Sequence, residues 1–176
     1  LERILAENPG MKLVLTVRDC RDVVSSSLLA RRKAGDNALH WMHESIQDAA
    51  SMWTQAARNM LRVFDWMDPA DFLLLKYEDS VRHPRATLRR LSQFLGHEIR
   101  LRNPTGGYRP TNVGRWRQEF PDMCEHLPAE TLRCMEVFGY DWLALETSWL
   151  FGDWFADCGW EAVRGVEFEA GGRVRM

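Results

Sequence analysis

No stretch of the 176 residues approaches the roughly 20 consecutive apolar positions that a helix needs to cross a bilayer, so no membrane segment is read in this chain. Net charge is also scarce: 23 Lys and Arg against 25 Asp and Glu leave −2 at pH 7. A chain so nearly neutral is no bulk polyanion binder, which speaks against nucleic acid as a partner. Any anion it holds must be gripped locally. Cysteine is sparse: Cys20, Cys124, Cys134 and Cys158 stand too far apart for a zinc site and are too few for a disulfide scaffold. They read as free thiols, with Cys124 and Cys134 the pair to watch, and no metal is expected. The pattern Gly-x-x-x-x-Gly-Lys-Ser/Thr of P-loop nucleotide kinases occurs nowhere, and there is no internal repeat or low-complexity linker.

The 45% of hydrophobic residues fits one α/β domain with a proper core. The opening "LERILAENPG" reads as the end of a helix closing on Asn8-Pro9-Gly10, so the chain is expected to begin partway through a longer protein. A missing signal peptide then says nothing of compartment, and cytoplasm and Golgi lumen both stay open.

Against these absences one stretch stands out. In "KLVLTVRDCRDVVSSSLL" a β-prone run, Lys12 to Val17, discharges into Arg18, Asp19, Arg21 and Asp22 and then three serines. The spacing predicts a buried strand, then a helix opened near Asp19 and closed by Gly35. From Asp36 apolar residues recur every three to four positions (Leu39, Met42, Ile46, Ala49, Trp53, Ala57, Phe64), predicting one long crossover helix that ends at Asp68-Pro69. "DFLLLKYED", Asp71 to Asp79, predicts a second strand, and Pro84 to Leu95 a third helix ending at Gly96. Strand, helices, strand, helix is the order of a parallel sheet with crossovers.

In such sheets ligands bind beyond the carboxyl ends of the strands. Arg18 stands there, and Ser26, two helical turns further on, can turn its hydroxyl back toward the strand end. An arginine fork plus a hydroxyl is a receptor for a phosphate monoester. On spacing alone the simpler reading is favoured: Arg18 paired with Asp19 or Asp22, and Ser26 merely capping or bending the helix.

"LVLTVRDCRDVVSSSL" resembles the 3′-phosphate-binding motif of sulfotransferases that use 3′-phosphoadenosine 5′-phosphosulfate, in which a strand ends in Arg-Asp-Pro-Arg-Asp-Val and a serine follows eight residues after the first arginine. Arg18 and Ser26 take those positions, and Cys20 replaces the proline. "LLLKYEDSVRHPRATLRRLSQFLG" resembles the family's second strand and Tyr-Glu-Asp box, with Tyr77 at the tyrosine that lies by the nucleotide. "YRPTNVGRWRQEF" resembles the late loop ending in Gly-x-Trp, with Arg109 seven residues before Trp116. Arg-Pro-Thr stands here where cytosolic members have Arg-Lys-Gly, which leaves a glycine backbone contact without its counterpart. The resemblance covers roughly Lys12 to Trp142. It implies a P-loop-like α/β fold, a parallel sheet flanked by helices and here partial, and the 3′-phosphoadenosine 5′-phosphosulfate co-substrate. The implied reaction moves a sulfuryl group in line to an acceptor hydroxyl or amine of unknown class.

Two parts of that family's site have no counterpart. Nothing before Arg18 can form the Gly/Ser/Thr-rich, lysine-bearing 5′-phosphosulfate loop, and the catalytic base is expected upstream of Leu1. The catalytic residues are therefore unassigned: Glu2 and Glu7 do not fit, and His40, His43, His83, His97 and His126 read as surface or packing residues. The expectation is a sulfotransferase whose isolated 176-residue portion is inactive, the alternative being a non-catalytic bisphosphate-binding or interaction domain. Oligomeric state cannot be read.

Other conspicuous residues have simpler explanations. Glu78 and Asp79 read as caps, or as partners of Arg82 and Arg85. Trp116 between Arg115 and Arg117 reads as a packing anchor. Leu88, Leu91 and Leu95 read as core beneath solvated Arg89 and Arg90. Arg31, Arg32 and Lys33 suit the negative end of their helix. The chain divides into residues 1–142, the sulfotransferase-like portion, and 143–176, an aromatic-rich tail. In the tail "VEFEAGGRVRM" predicts a β-hairpin. A three-residue loop Ala170-Gly171-Gly172 pairs Glu167 with Arg175 and Phe168 with Val174, putting ion pairs on one face and an apolar stripe on the other.

Overall fold

The computed structural model describes residues 2–64, 66–100 and 112–140, together with the backbone at 167–168 and 174–175. Strand β1 (Leu13–Val17) follows a one-and-a-half-turn helix, α1 (Glu2–Glu7). Helix α2 (Cys20–Ala34) starts where the Asp19 carboxylate accepts the N–H of Arg21, and it stops at Gly35, whose φ of 52° suits a residue without Cβ. Three basic residues, Arg31 to Lys33, fill its last turn, where the helix dipole favours positive charge.

Helix α3 (Ile46–Phe64) is shorter than its apolar period predicts. Leu39 and Met42 keep the spacing, but residues 35–45 fold as a single 3₁₀ turn and a loop. Two serines explain the difference. The Ser27 hydroxyl donates to Trp41 O and accepts the N–H of His43, both at 2.9 Å, latching this loop onto α2. Ser45 then caps α3, accepting the Asp48 N–H at 3.0 Å and donating to the Asp48 carboxylate at 2.7 Å. His40 and His43 therefore lie on the loop, and Leu39 is exposed.

Strand β2 (Phe72–Lys76) pairs parallel with β1, Leu13 opposite Phe72 through Val17 opposite Lys76. The strand ends earlier than expected: Tyr77, Glu78 and Asp79 already open a short helix, α4 (Tyr77–Arg82). Pro84 starts α5 (Pro84–Leu95), and Gly96 closes it in the left-handed conformation at φ 76°. Two single turns, α6 (Trp116–Glu119) and α7 (Met123–His126), lead into α8 (Ala129–Val137).

The core lies between α2, α3 and the α7–α8 segment. Val24 and Leu28 meet Ala49, Ala50, Ala57 and Leu61 across α2 and α3, while Met123, Met135 and Phe138 close the far side. Alanines on α3 let the helices approach closely. At the α3–α8 contact the buried Thr54 and Thr131 hydroxyls bond each other at 2.8 Å. The sheet side is looser. Of the β1 and β2 residues only Val17, Phe72 and Leu75 are buried, and α5 has no buried residue. Leu88, Leu91 and Leu95 are half-buried rather than core.

The tail strands β3 (Glu167–Phe168) and β4 (Val174–Arg175) pair antiparallel, with Glu167 opposite Arg175 and Phe168 opposite Val174. That is the register expected of the three-residue loop. The loop itself, the tail aromatics and the 142/143 boundary lie outside the described residues. Among the described residues no helix is long and apolar enough to cross a membrane. Cys20 and Cys124 are free thiols, and Cys158 lies outside the described residues.

Candidate functional site

Parallel pairing carries the carboxyl ends of β1 and β2 side by side, so Arg18 and Tyr77, the first residues past each strand, become neighbours. The Arg18 guanidinium lies over the Tyr77 ring at 4.7 Å from its centroid. Its Nη2 donates to Asn112 O at 3.1 Å, while its Nε is sealed from solvent without an acceptor among the described residues. Its backbone is fixed as well, since Trp53 Nε1 donates to Arg18 O at 2.9 Å.

Pairing of Arg18 with Asp19 or Asp22 does not occur, because both carboxylates are engaged elsewhere. Asp19 takes Arg21, with Nε at 2.9 Å and Nη2 at 2.7 Å in a two-pronged buried ion pair. Burial works to lower the Arg21 pKa, but the hydrogen bonds and charge of Asp19 outweigh it and the pKa rises. Asp22 accepts backbone N–H groups from Gly114 at 2.7 Å and Trp116 at 3.4 Å. Arg18 is left as a cation with no carboxylate partner among the described residues.

A third buried carboxylate does not play the capping or pairing role expected of it. Glu78 turns away from Arg82 and Arg85, which are exposed. It accepts the Asp19 N–H at 2.9 Å and the Tyr140 hydroxyl at 2.8 Å, tying the β1–α2 turn to α4 and to the residue after Gly139. Burial, then the negative charge of Glu78 and its hydrogen bond, push the Tyr140 phenol far above its ordinary pKa. These carboxylates are structural ties: Asp19 holds Arg21 two residues on, while Asp22 and Glu78 spend their oxygens on donors from distant segments.

The expected site residues thus fare differently. Arg18 and Tyr77 come together. Ser26 lies six residues into α2, about 9 Å along the axis from Cys20, and is exposed. Its neighbours are not: Ser27 latches the 35–45 loop, and the buried Ser25 hydroxyl has no partner among the described residues. Arg109 lies outside the described residues. The turn just after it is held by Asp22 and by buried Trp116, whose ring lies 4.5 Å from the Arg21 guanidinium and 4.8 Å from that of Arg117. Arg115 pairs with Glu119 at 2.8 Å. His40, His83, His97 and His126 are exposed, and His43 packs its ring nitrogen against Met52 Sδ at 3.1 Å. Sequence reasoning missed Asp22, Glu78 and Tyr140 as organisers of the site. For Asp22 a signal existed, the second aspartate of the Arg-Asp-x-Arg-Asp-Val motif. For Tyr140 there was none.

The chain resembles two solved domains in fold. It superposes on the sulfotransferase domain from the curacin biosynthetic pathway with a TM-score of 0.58 at 21% identity, covering 80% of this chain and 57% of that one. With the sulfotransferase domain from the Synechococcus PCC 7002 olefin synthase the TM-score is 0.57 at 26% identity, covering 74% and 50% respectively. The chain thus spans about half the length of the solved domains it matches. Comparison with curated protein sequences finds no significant match. The family profile for the sulfotransferase family matches residues 1–100, which carry β1, α2, β2 and the Arg18–Tyr77 pair, and the chain belongs to that family.

Proposed function

We propose that the protein works as a sulfotransferase using 3′-phosphoadenosine 5′-phosphosulfate, and that this chain carries the 3′-phosphate-binding half of the site in a P-loop-like arrangement. The observation that supports this best is Arg18: a guanidinium at the strand ends, stacked on Tyr77, with a buried N–H that lacks an acceptor among the described residues. A buried donor left unmade costs about 1–3 kcal/mol, and a phosphate oxygen is the acceptor such a fork prefers. Ser26 offers a hydroxyl on the exposed side of α2, Tyr77 a surface for the nucleotide, and Arg109, by its motif position, a second cation. The bound co-substrate supplies the activated sulfuryl group, and the acceptor is a hydroxyl or amine.

Calorimetric titration with adenosine 3′,5′-bisphosphate tests the reading. Arg18→Ala is expected to weaken binding by about 2 to 4 kcal/mol, the scale for losing a charge-assisted, two-pronged contact. Unchanged affinity refutes the assignment. A second reading is a domain that binds the bisphosphate without catalysis; residues 1–17 hold no Gly/Ser/Thr-rich turn with a lysine, so neither reading assigns the 5′-phosphosulfate contacts to them. On either reading the isolated 176-residue chain transfers no sulfate, and turnover by the pure chain overturns this placement of the chemistry.

A further inference from the structure

We infer that Trp53 and Glu78 are positioning residues for the anion site, clamping between them the one peptide group that aims Arg18. The inference rests on the proposed function and adds two residues to it. The peptide joining Arg18 to Asp19 lies between β1, which ends at Val17, and α2, which begins at Cys20. Its two polar groups are met by side chains. Trp53 Nε1 donates to its carbonyl, Arg18 O, and Glu78 Oε1 accepts its N–H, that of Asp19, both at 2.9 Å. In a trans peptide the C=O and N–H point in opposite directions. The clamp therefore closes from two sides, with one jaw on α3 and the other on α4.

Each jaw is itself held. Trp53 is buried, its ring edge-on to Phe138 at 6.2 Å between centroids. Glu78, 8% exposed, has its second oxygen occupied by the Tyr140 hydroxyl at 2.8 Å. Turning the Arg18–Asp19 peptide would break both bonds at once and leave a donor and an acceptor unmade, and that peptide sets the direction in which the Arg18 side chain leaves the strand end. Glu78 also follows Tyr77 directly. Its bond to Asp19 thus ties the residue after Arg18 to the residue after Tyr77, holding the guanidinium over the ring at 4.7 Å. A long, flexible arginine gives up rotamer freedom when it grips an anion. A backbone fixed in advance removes part of that cost, the service of a supporting layer behind a binding group.

The test titrates the full chain calorimetrically with adenosine 3′,5′-bisphosphate and with adenosine 5′-monophosphate, whose affinity ratio reads the grip on the 3′-phosphate. Glu78→Ala removes the acceptor. Trp53→Phe removes the donor but keeps an aromatic ring beside Phe138, and it decides the matter if Glu78→Ala fails to fold. Each folded variant is expected to reduce the preference for the bisphosphate about fivefold or more, with affinity for the monophosphate changed less than about twofold. Glu78→Gln retains a carbonyl oxygen for the Asp19 N–H and should recover most of the preference. Because the jaws act through Arg18, Trp53→Phe should cost less than about twofold more in an Arg18→Ala background. A role in stability alone moves the melting temperature and leaves the ratio unchanged. A wild-type ratio in folded Glu78→Ala or Trp53→Phe, a Glu78→Gln loss equal to that of Glu78→Ala, or a full additive loss on top of Arg18→Ala overturns the clamp while the proposed function stands. If the unaltered chain shows no preference for the bisphosphate, the proposed function fails and this role with it.

Discussion

The two halves of the molecule bury their side chains to different purposes. Between α2, α3 and α8, residues such as Val24, Ala50, Leu61, Cys134 and Met135 are fully enclosed. Around β1, β2 and α5 most apolar side chains are half-buried, and the groups of interest, Arg18 and Tyr77, sit at the rim. Burial of a Leu or Val side chain stabilises by about 1.5–3 kcal/mol, so the first half dominates the described core. The second half contributes less area but presents polar groups. Mutations should therefore separate the two, with stability lost in one and binding in the other.

The largest effect is expected from a matched pair. Leu61→Ala should lower unfolding free energy by about 2–5 kcal/mol, whereas Leu91→Ala on half-buried α5 should lower it by about 1 kcal/mol. Urea unfolding of both variants decides this, and equal losses would erase the distinction between the halves.

The boundary between the halves is sensitive to alkali. Burial, and next the charge of Asp19, hold the Cys20 thiol well above its ordinary value, and burial and Glu78 do the same to the Tyr140 phenol. A raised folded-state pKa means the native protein keeps a proton that the unfolded chain releases. Stability from these groups is thus intact below the unfolded pKa values, about 8.5 for the thiol and 10 for the phenol, and declines as pH rises past them. Thermal melting from pH 8 to 11 should show the fall starting near the thiol value, with a loss on the order of 1 kcal/mol per pH unit for each group. Cys20→Ala should remove the earlier part of the decline. A flat profile to pH 11 would show that neither burial matters.

The smallest effect belongs to the rim. Ser26 is exposed, so Ser26→Ala should change stability by less than about 0.5 kcal/mol while weakening bisphosphate binding by about 0.5–1.5 kcal/mol. A variant that melts normally and binds normally removes Ser26 from the receptor.

Sequence reasoning succeeded where structure is local. Asp19 and Gly35 bound α2, Gly96 ends α5, and the pairing of unlike charges across a three-residue loop, Ala170-Gly171-Gly172, suggested the hairpin register found for Glu167 and Phe168. It failed where a distant group overrides a local pattern. The period through Leu39 and Met42 says helix, but the Ser27 hydroxyl captures that segment instead. Ser45 and Asp48 were the legible sign of the true start. In the site, Arg18 and Tyr77 were legible from motif order, since two parallel strands place their ends together. The partners of the carboxylates were not. Asp19 takes Arg21 two residues away, but whether Asp22 or Glu78 would take an arginine, an amide or a phenol depends on segments 59 to 94 residues away, such as Tyr140 and Gly114.

The central claim, a grip on the 3′-phosphate by Arg18, is tested most directly by comparing two ligands that differ only in that group. In calorimetry the chain should bind adenosine 3′,5′-bisphosphate at least about tenfold more tightly than adenosine 5′-monophosphate, and Arg18→Ala should abolish the difference. Equal affinity for the two ligands, or full discrimination by a folded Arg18→Ala variant, would contradict it.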